Sequence, residues 1–128
     1  MITSLYAIPI AIIFLVLSAR VIMYRLANQI GLGDAGNKSL LKRMRAHANF
    51  VEYAPFGLLL MLLLELQTPA DALLHLVGGL LLLGRVSHAY GFSASPPILQ
   101  LRQAGMIMTF GAYITAIICL VAFAVTAI

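Results

Sequence analysis

Residues 38–67, KSLLKRMRAHANFVEYAPFGLLLMLLLELQ, decide the fold. Asn37 stands just before them as an N-cap, and the helix it opens is expected over 37–67. Thirty residues of helix would be roughly 45 Å long, against about 30 Å for the hydrocarbon core of a bilayer. The first third, with Lys42, Arg43, Arg45, His47, Asn49 and Glu52, is expected to protrude from the membrane. The remainder, Ala54 to Leu64, carries no charge and is expected to span.

The rest of the chain repeats this apolar character. Of 128 residues, 62% are hydrophobic and 9% charged, against roughly 45–50% and 25% in soluble domains. One domain of this size cannot hide that much apolar surface from water, so lipid is the expected solvent. A first helix is expected over about 3–28, with Pro9 near its start and Arg20 and Arg25 interrupting its apolar run. The N-terminus has no basic residue and the Leu5–Ala19 run exceeds a typical signal h-region, so this segment reads as a spanning helix. Gly31 to Asn37, GLGDAGN, is a turn-rich loop. Thr68-Pro69-Ala70-Asp71 and Ser95-Pro96 resemble helix starts, giving helices over about 69–90 and 96–127. Gly78, Gly79, Gly84, Gly105 and Gly111 offer places where helices can approach closely. Cys119, the one cysteine, reads as a small packing residue. The expectation for residues 1–128 is an all-α, integral membrane four-helix bundle, up-down-up-down.

All eight basic residues lie at the end of helix 1, the start of helix 2, the end of helix 3 or the start of helix 4. In an up-down-up-down bundle these four ends share one side, which the positive-inside rule places in the cytoplasm, with both termini outside. The opposite connection has Glu65 and Asp71 and no basic residue. The net charge of +4 forms no basic stripe interleaved with aromatics, so no nucleic-acid partner is expected. No Cys/His spacing points to a metal.

The densest chemistry is in Arg45 to Tyr53, RAHANFVEY. Arg45, Asn49 and Glu52 fall within about 60° of one another on a helix, with Tyr53 at the edge of that face. A carboxylate near membrane depth is costly unless paired or facing water. Either Arg45 and Glu52 satisfy each other, or the face binds a ligand. Arg20 either snorkels to the interface or faces the bundle and binds an anion. Lys38, Lys42 and Arg43 read as interfacial charges that orient the chain. His88 lies on the same side as several arginines and Glu52, while His75 belongs at the opposite end as a structural residue. Together this end suits a small zwitterion with more than one carboxylate, and adjoining apolar grooves suit a lipophilic second molecule.

RAHANFVEY ahead of an apolar helix opening with Pro55, GRVSHAYGF at Gly84 to Phe92, and LRQAGM at Leu101 to Met106 resemble the MAPEG family, the membrane-associated proteins of eicosanoid and glutathione metabolism. The likeness spans all four helices and is nearest to the bacterial inner-membrane branch. It implies a homotrimer with glutathione bound as co-substrate between subunits at the cytoplasmic side, and no metal. Carried over, Arg45, Asn49, Glu52 and Tyr53 match glutathione-binding positions of helix 2. Glu52 would take the γ-glutamyl ammonium. Arg20 matches a helix 1 arginine that reaches a neighbour's site, and His88, with Tyr90 close by, matches helix 3 positions. Arg102 matches the helix 4 arginine that stabilises the glutathione thiolate, the catalytic role. Ala48, Phe92 and Gln103 depart from the prostaglandin synthase pattern of arginine, tyrosine and serine, which points away from eicosanoid chemistry.

The expected function is a glutathione-dependent transferase or peroxidase acting on a lipophilic electrophile or hydroperoxide in the bacterial inner membrane. The alternative is a catalytically silent scaffold or small-ligand binding protein of the same fold. A proton-coupled drug exporter ranks third: such exporters place their key carboxylate in helix 1, where this chain has Arg20 and no acid.

Overall fold

The computed structural model describes residues 1–126, and the expected last residue of helix 4, residue 127, lies outside them. Four helices account for nearly all of it: α1 (Ile2–Asn28), α2 (Lys38–Glu65), α3 (Asp71–Ser93) and α4 (Leu99–Thr126). Each is long and apolar enough to cross a membrane. Neighbours run antiparallel. The Glu65 carboxylate, at the end of α2, accepts the backbone N–H groups of Ile2 and Thr3 (2.5 and 3.0 Å) at the start of α1. Arg20 near the end of α1 donates to Ser93 at the end of α3. α2 and α3 form the middle of the bundle, and α1 and α4 flank it without meeting each other among the described residues. The core is small and dry: Leu64, Met61, Leu81, Val77 and Ala116 are fully enclosed. Large apolar side chains such as Leu5, Leu15, Ile118 and Val121 face outward, as a lipid solvent requires.

Asn37 caps α2 as its side chain predicts, with Oδ1 accepting the Leu40 N–H at 3.0 Å. The two proline-based starts differ from expectation. Thr68 is left-handed (φ 52°) and its N–H donates to the Glu65 carbonyl at 3.0 Å, so it closes α2. Pro69 follows as a stop signal for that helix, and α3 begins at Asp71. α4 begins at Leu99, three residues after Pro96, because a residue that precedes proline is driven out of the helical region and Pro96 precedes Pro97. α3 in turn continues past Tyr90 to Ser93. Gly91 is a contact residue there: a Cβ on it would lie 2.7 Å from Leu101 Cβ and 2.9 Å from the Ile98 carbonyl oxygen.

α3 and α4 are the most closely packed pair. Gly84 and Gly105 face each other so that a Cβ on either would meet backbone of the other helix. Gly78 lies under the Tyr6 ring. Gly79 and Gly111, also expected at close approaches, are not: Gly79 has nothing within 4 Å and Gly111 only an ordinary 3.8 Å contact. Cys119 is half-buried against the core. At the end that holds Glu65, His75 Nδ1 bonds the Tyr6 hydroxyl at 2.9 Å, which gives that histidine the structural role its position implies.

Candidate functional site

The centre of the basic half of the bundle is Arg85, which the sequence counts among the eight basic residues at this end without assigning it a role. It is 1% exposed on α3. Its Nη1 donates to Asn49 Oδ1 (2.7 Å) on α2, its Nε to Thr109 Oγ1 (3.0 Å) on α4 and its Nη2 to Met106 Sδ (3.3 Å). The guanidinium also stands 5.2 Å from the centre of the Tyr53 ring. None of these partners is a carboxylate. Thr109 is itself fixed, donating to the Gly105 carbonyl at 2.8 Å. The available signal was the lone cation of helix 3, one turn before His88 and next to Gly84, whose missing side chain lets α4 approach.

A buried cation without a counter-ion destabilises a bundle more than an apolar side chain of like volume would. Arg85→Met is therefore expected to leave stability within about 1 kcal/mol of wild type or to raise it. Thermal melting in detergent checks this. A much larger loss would make Arg85 a structural keystone.

Asn49 and Tyr53, held from beneath by Arg85, sit half-buried on α2. Glu52 and Arg45 lie on the exposed side of the same helix and form no ion pair with each other among the described residues. Exposed on α2, Glu52 is open to water or to a partner, either of which a carboxylate near membrane depth requires.

His88, one turn beyond Arg85, is 5% exposed and helps line a cleft of about 590 Å³ with Arg102, Gln103 and Met106. Leu99, Ile107 and Phe110 give it an apolar remainder. Arg102 stacks on Phe92, its guanidinium carbon 4.2 Å from the ring centre, and its buried Nε has no hydrogen-bond partner. The Tyr53 ring meets Phe110 edge-on at 5.8 Å, which joins this cleft to the Asn49 face.

The structure thus brings Asn49, Tyr53, His88 and Arg102 around Arg85, with Arg45 and Glu52 at the outer margin. It does not bring Arg20 or Tyr90 to them. Those two share a separate, smaller groove between α1 and α3, with Ser93, because Tyr90 points away from His88 on the same helix. His47 also turns from the site, bonding Ser18 Oγ at 3.0 Å and packing on Phe14.

Comparison with known proteins follows the same outline. The sequence model of the MAPEG family matches residues 3–122. The inner membrane protein YecN of Escherichia coli strain K12 is 32% identical over 118 residues, covering 92% of this chain and 88% of the relative. The YecN of E. coli O6:H1 strain CFT073 matches equally. No solved structure gives a significant match.

Proposed function

The chain belongs to the MAPEG family, and from that premise we propose that it binds glutathione and uses the thiolate against a lipophilic electrophile or hydroperoxide. It is a multi-pass membrane protein with an inner-membrane relative. The observation that carries the proposal is the Arg102 guanidinium, with an unpartnered buried Nε, beside His88 in a mostly apolar cleft. A cation held so has the chemistry to stabilise a thiolate, which is the nucleophile where the thiol is not. In transfer, the thiolate sulfur forms a bond to an electrophilic carbon and the displaced electron pair leaves with the leaving group or takes up a proton. In peroxide reduction, a hydroperoxide and two thiols give an alcohol, water and a disulfide.

The remaining residues take roles by geometry. The Asn49 amide, its oxygen held by Arg85, is free to donate from its nitrogen to a peptide carbonyl. Glu52 faces outward and suits an ammonium group, and Arg45 a carboxylate. Tyr53 and His88 bound the thiol end. Arg20 and Tyr90, on the α1–α3 face, would complete the site of an adjacent subunit in a homotrimer, as the family likeness implies. The basic end faces the cytoplasm in this reading, where glutathione is supplied.

Titrating the purified protein with glutathione while following thiolate absorbance tests the proposal. A saturable thiolate signal is expected. Binding without thiolate would leave a small-ligand binding protein of the same fold, and no binding would sink the glutathione reading. In the same assay Glu52→Gln is expected to weaken binding about tenfold, the loss of one charge-assisted contact. Its melting temperature should hardly move, because substitutions at exposed sites usually change stability by less than about 0.5 kcal/mol. Equal loss of binding and stability would return Glu52 to a packing role.

A further inference from the structure

A second polar cleft lies at the basic end, enclosed by the end of α1, the first turns of α2 and the α3–α4 connection. Four cations line it: Arg20, Lys38, Lys42 and Arg43. The other lining residues are serines, Ser39, Ser93 and Ser95, and no acidic side chain is among them. Its volume is about 290 Å³, and it is more closed than the apolar clefts elsewhere on the subunit.

Three of the four cations are held in place by neutral groups, and Lys38 is exposed at the start of α2. Lys42 Nζ donates to the Ala94 carbonyl and to Ser95 Oγ, the latter at 2.9 Å. Arg43 stacks over the Tyr24 ring at 4.4 Å and donates to Ser39 Oγ at 2.5 Å. Arg20 Nη1 donates to Ser93 Oγ at 2.5 Å. Each contact aims a cation without neutralising it. The start of α2 adds its own partial positive charge, and no acid stands in its first turn to offset it. Four like charges converging on a helix N-terminus repel one another until an anion enters.

We propose that this cleft is a phosphate-binding site, sharing only Arg20 with the proposed glutathione site, that takes the phosphate group of an anionic phospholipid headgroup or of a soluble phosphate ester. Its donors are guanidinium, ammonium and hydroxyl groups, the set that matches the several acceptor oxygens of a phosphate. Its place, at the ends of three membrane-crossing elements, is the level of the headgroups, where basic pockets between helices hold anionic lipids. The site stands whether or not the glutathione reading does. Arg20 borders both this cleft and the α1–α3 groove, so the test leaves Arg20 unchanged.

The full chain in detergent is titrated with inorganic phosphate at constant ionic strength, and separately offered phosphatidylglycerol or phosphatidylcholine, with retained lipid read by native mass spectrometry. Wild type, Lys42→Gln and the double variant Lys38→Gln/Arg43→Gln are compared. The double variant leaves the Lys42 contacts to the α3–α4 connection intact and so guards against misfolding of that segment. Saturable phosphate binding, about tenfold weaker in both variants, supports the site with a soluble ester as its source. Preferential retention of phosphatidylglycerol, lost in both variants, supports it with a headgroup as the source. Glutathione affinity is expected to be unchanged in the variants. Absence of both saturable phosphate binding and a preference for phosphatidylglycerol, or identical behaviour of wild type and variants, would overturn the proposal.

Discussion

Gly105→Ala is expected to lower the apparent melting temperature by roughly 10 °C or more, an effect large enough to deplete the folded protein. The added Cβ would stand 2.6 Å from the Gly84 carbonyl oxygen, 2.6 Å from the His88 nitrogen and 2.7 Å from His88 Cβ. Two of these are backbone atoms, so no rotamer change relieves the clash and the helices must separate. Overpacking of a core typically costs about 1–3 kcal/mol. Here separation also strains the Arg85–Thr109 bond, which spans the same two helices one turn away. The intrinsic helix preference of alanine over glycine, about 0.5–1 kcal/mol, works against the loss and is too small to cancel it. Gly79→Ala is the control: its Cβ meets nothing within 4 Å, so the same exchange on the facing helix, α3, should be neutral or mildly stabilising. Melting curves of both variants decide it. If Gly105→Ala melts with the control, the Gly84–Gly105 contact does not limit the approach of α3 and α4.

Much of this fold was legible because a membrane bundle is written in long apolar runs. Helix number, the Asn37 cap and the antiparallel order follow from hydropathy and loop length. The starts of α3 and α4 were misread for a local reason. Thr68-Pro69 has the composition of a helix start, but composition does not record that Thr68 turns left-handed to finish α2. Pro96 has the right ring for a first helical position, but its neighbour Pro97 forbids it. In both cases one residue carried two signals, and the one tied to the neighbouring segment prevailed. Glycine spacing gave the Gly84–Gly105 contact and could not reject Gly79, since which face a glycine occupies depends on how the neighbouring helix is rotated.

The site was legible where one helix carries it. The α2 spacing puts Arg45, Asn49 and Glu52 on neighbouring strips of one helix, with Asn49 turned inward to Arg85 and the other two exposed. Arg85 was missed because its role is made between helices: the residues that hold it are far apart in sequence, at Asn49, Met106 and Thr109. Tyr90 was grouped with His88 by nearness in sequence, and two residues apart on a helix means nearly opposite faces. The outward Glu52 and the separate Arg20–Tyr90 groove have a common explanation. In the proposed trimer each would be half of a site, one set against the other.

The largest functional effect is expected from Arg102→Ala. At neutral pH an ordinary thiol is only a few per cent ionised. A guanidinium held beside it draws the thiol pKa down from about 8.5, within the range seen when arginine or lysine adjoins a cysteine. The thiolate band formed by glutathione on the wild-type protein should therefore nearly vanish in the alanine variant. Turnover of a lipophilic electrophile should fall about a hundredfold, as when a positioned charge-stabilising donor is removed. The pH dependence supplies the sign. Rate requires thiolate and so rises with pH through the thiol pKa; losing the cation raises that pKa, and the midpoint of the profile must move upward toward about 8.5. Arg102→Lys separates charge from shape. A lysine keeps the cation but not the planar stacking on Phe92 at 4.2 Å, so it should restore part of the thiolate and leave the midpoint between the other two. An alanine variant with an undiminished thiolate band would remove Arg102 from catalysis. A full rescue by lysine would show that charge alone matters and that the stacking on Phe92 has no part in placing it.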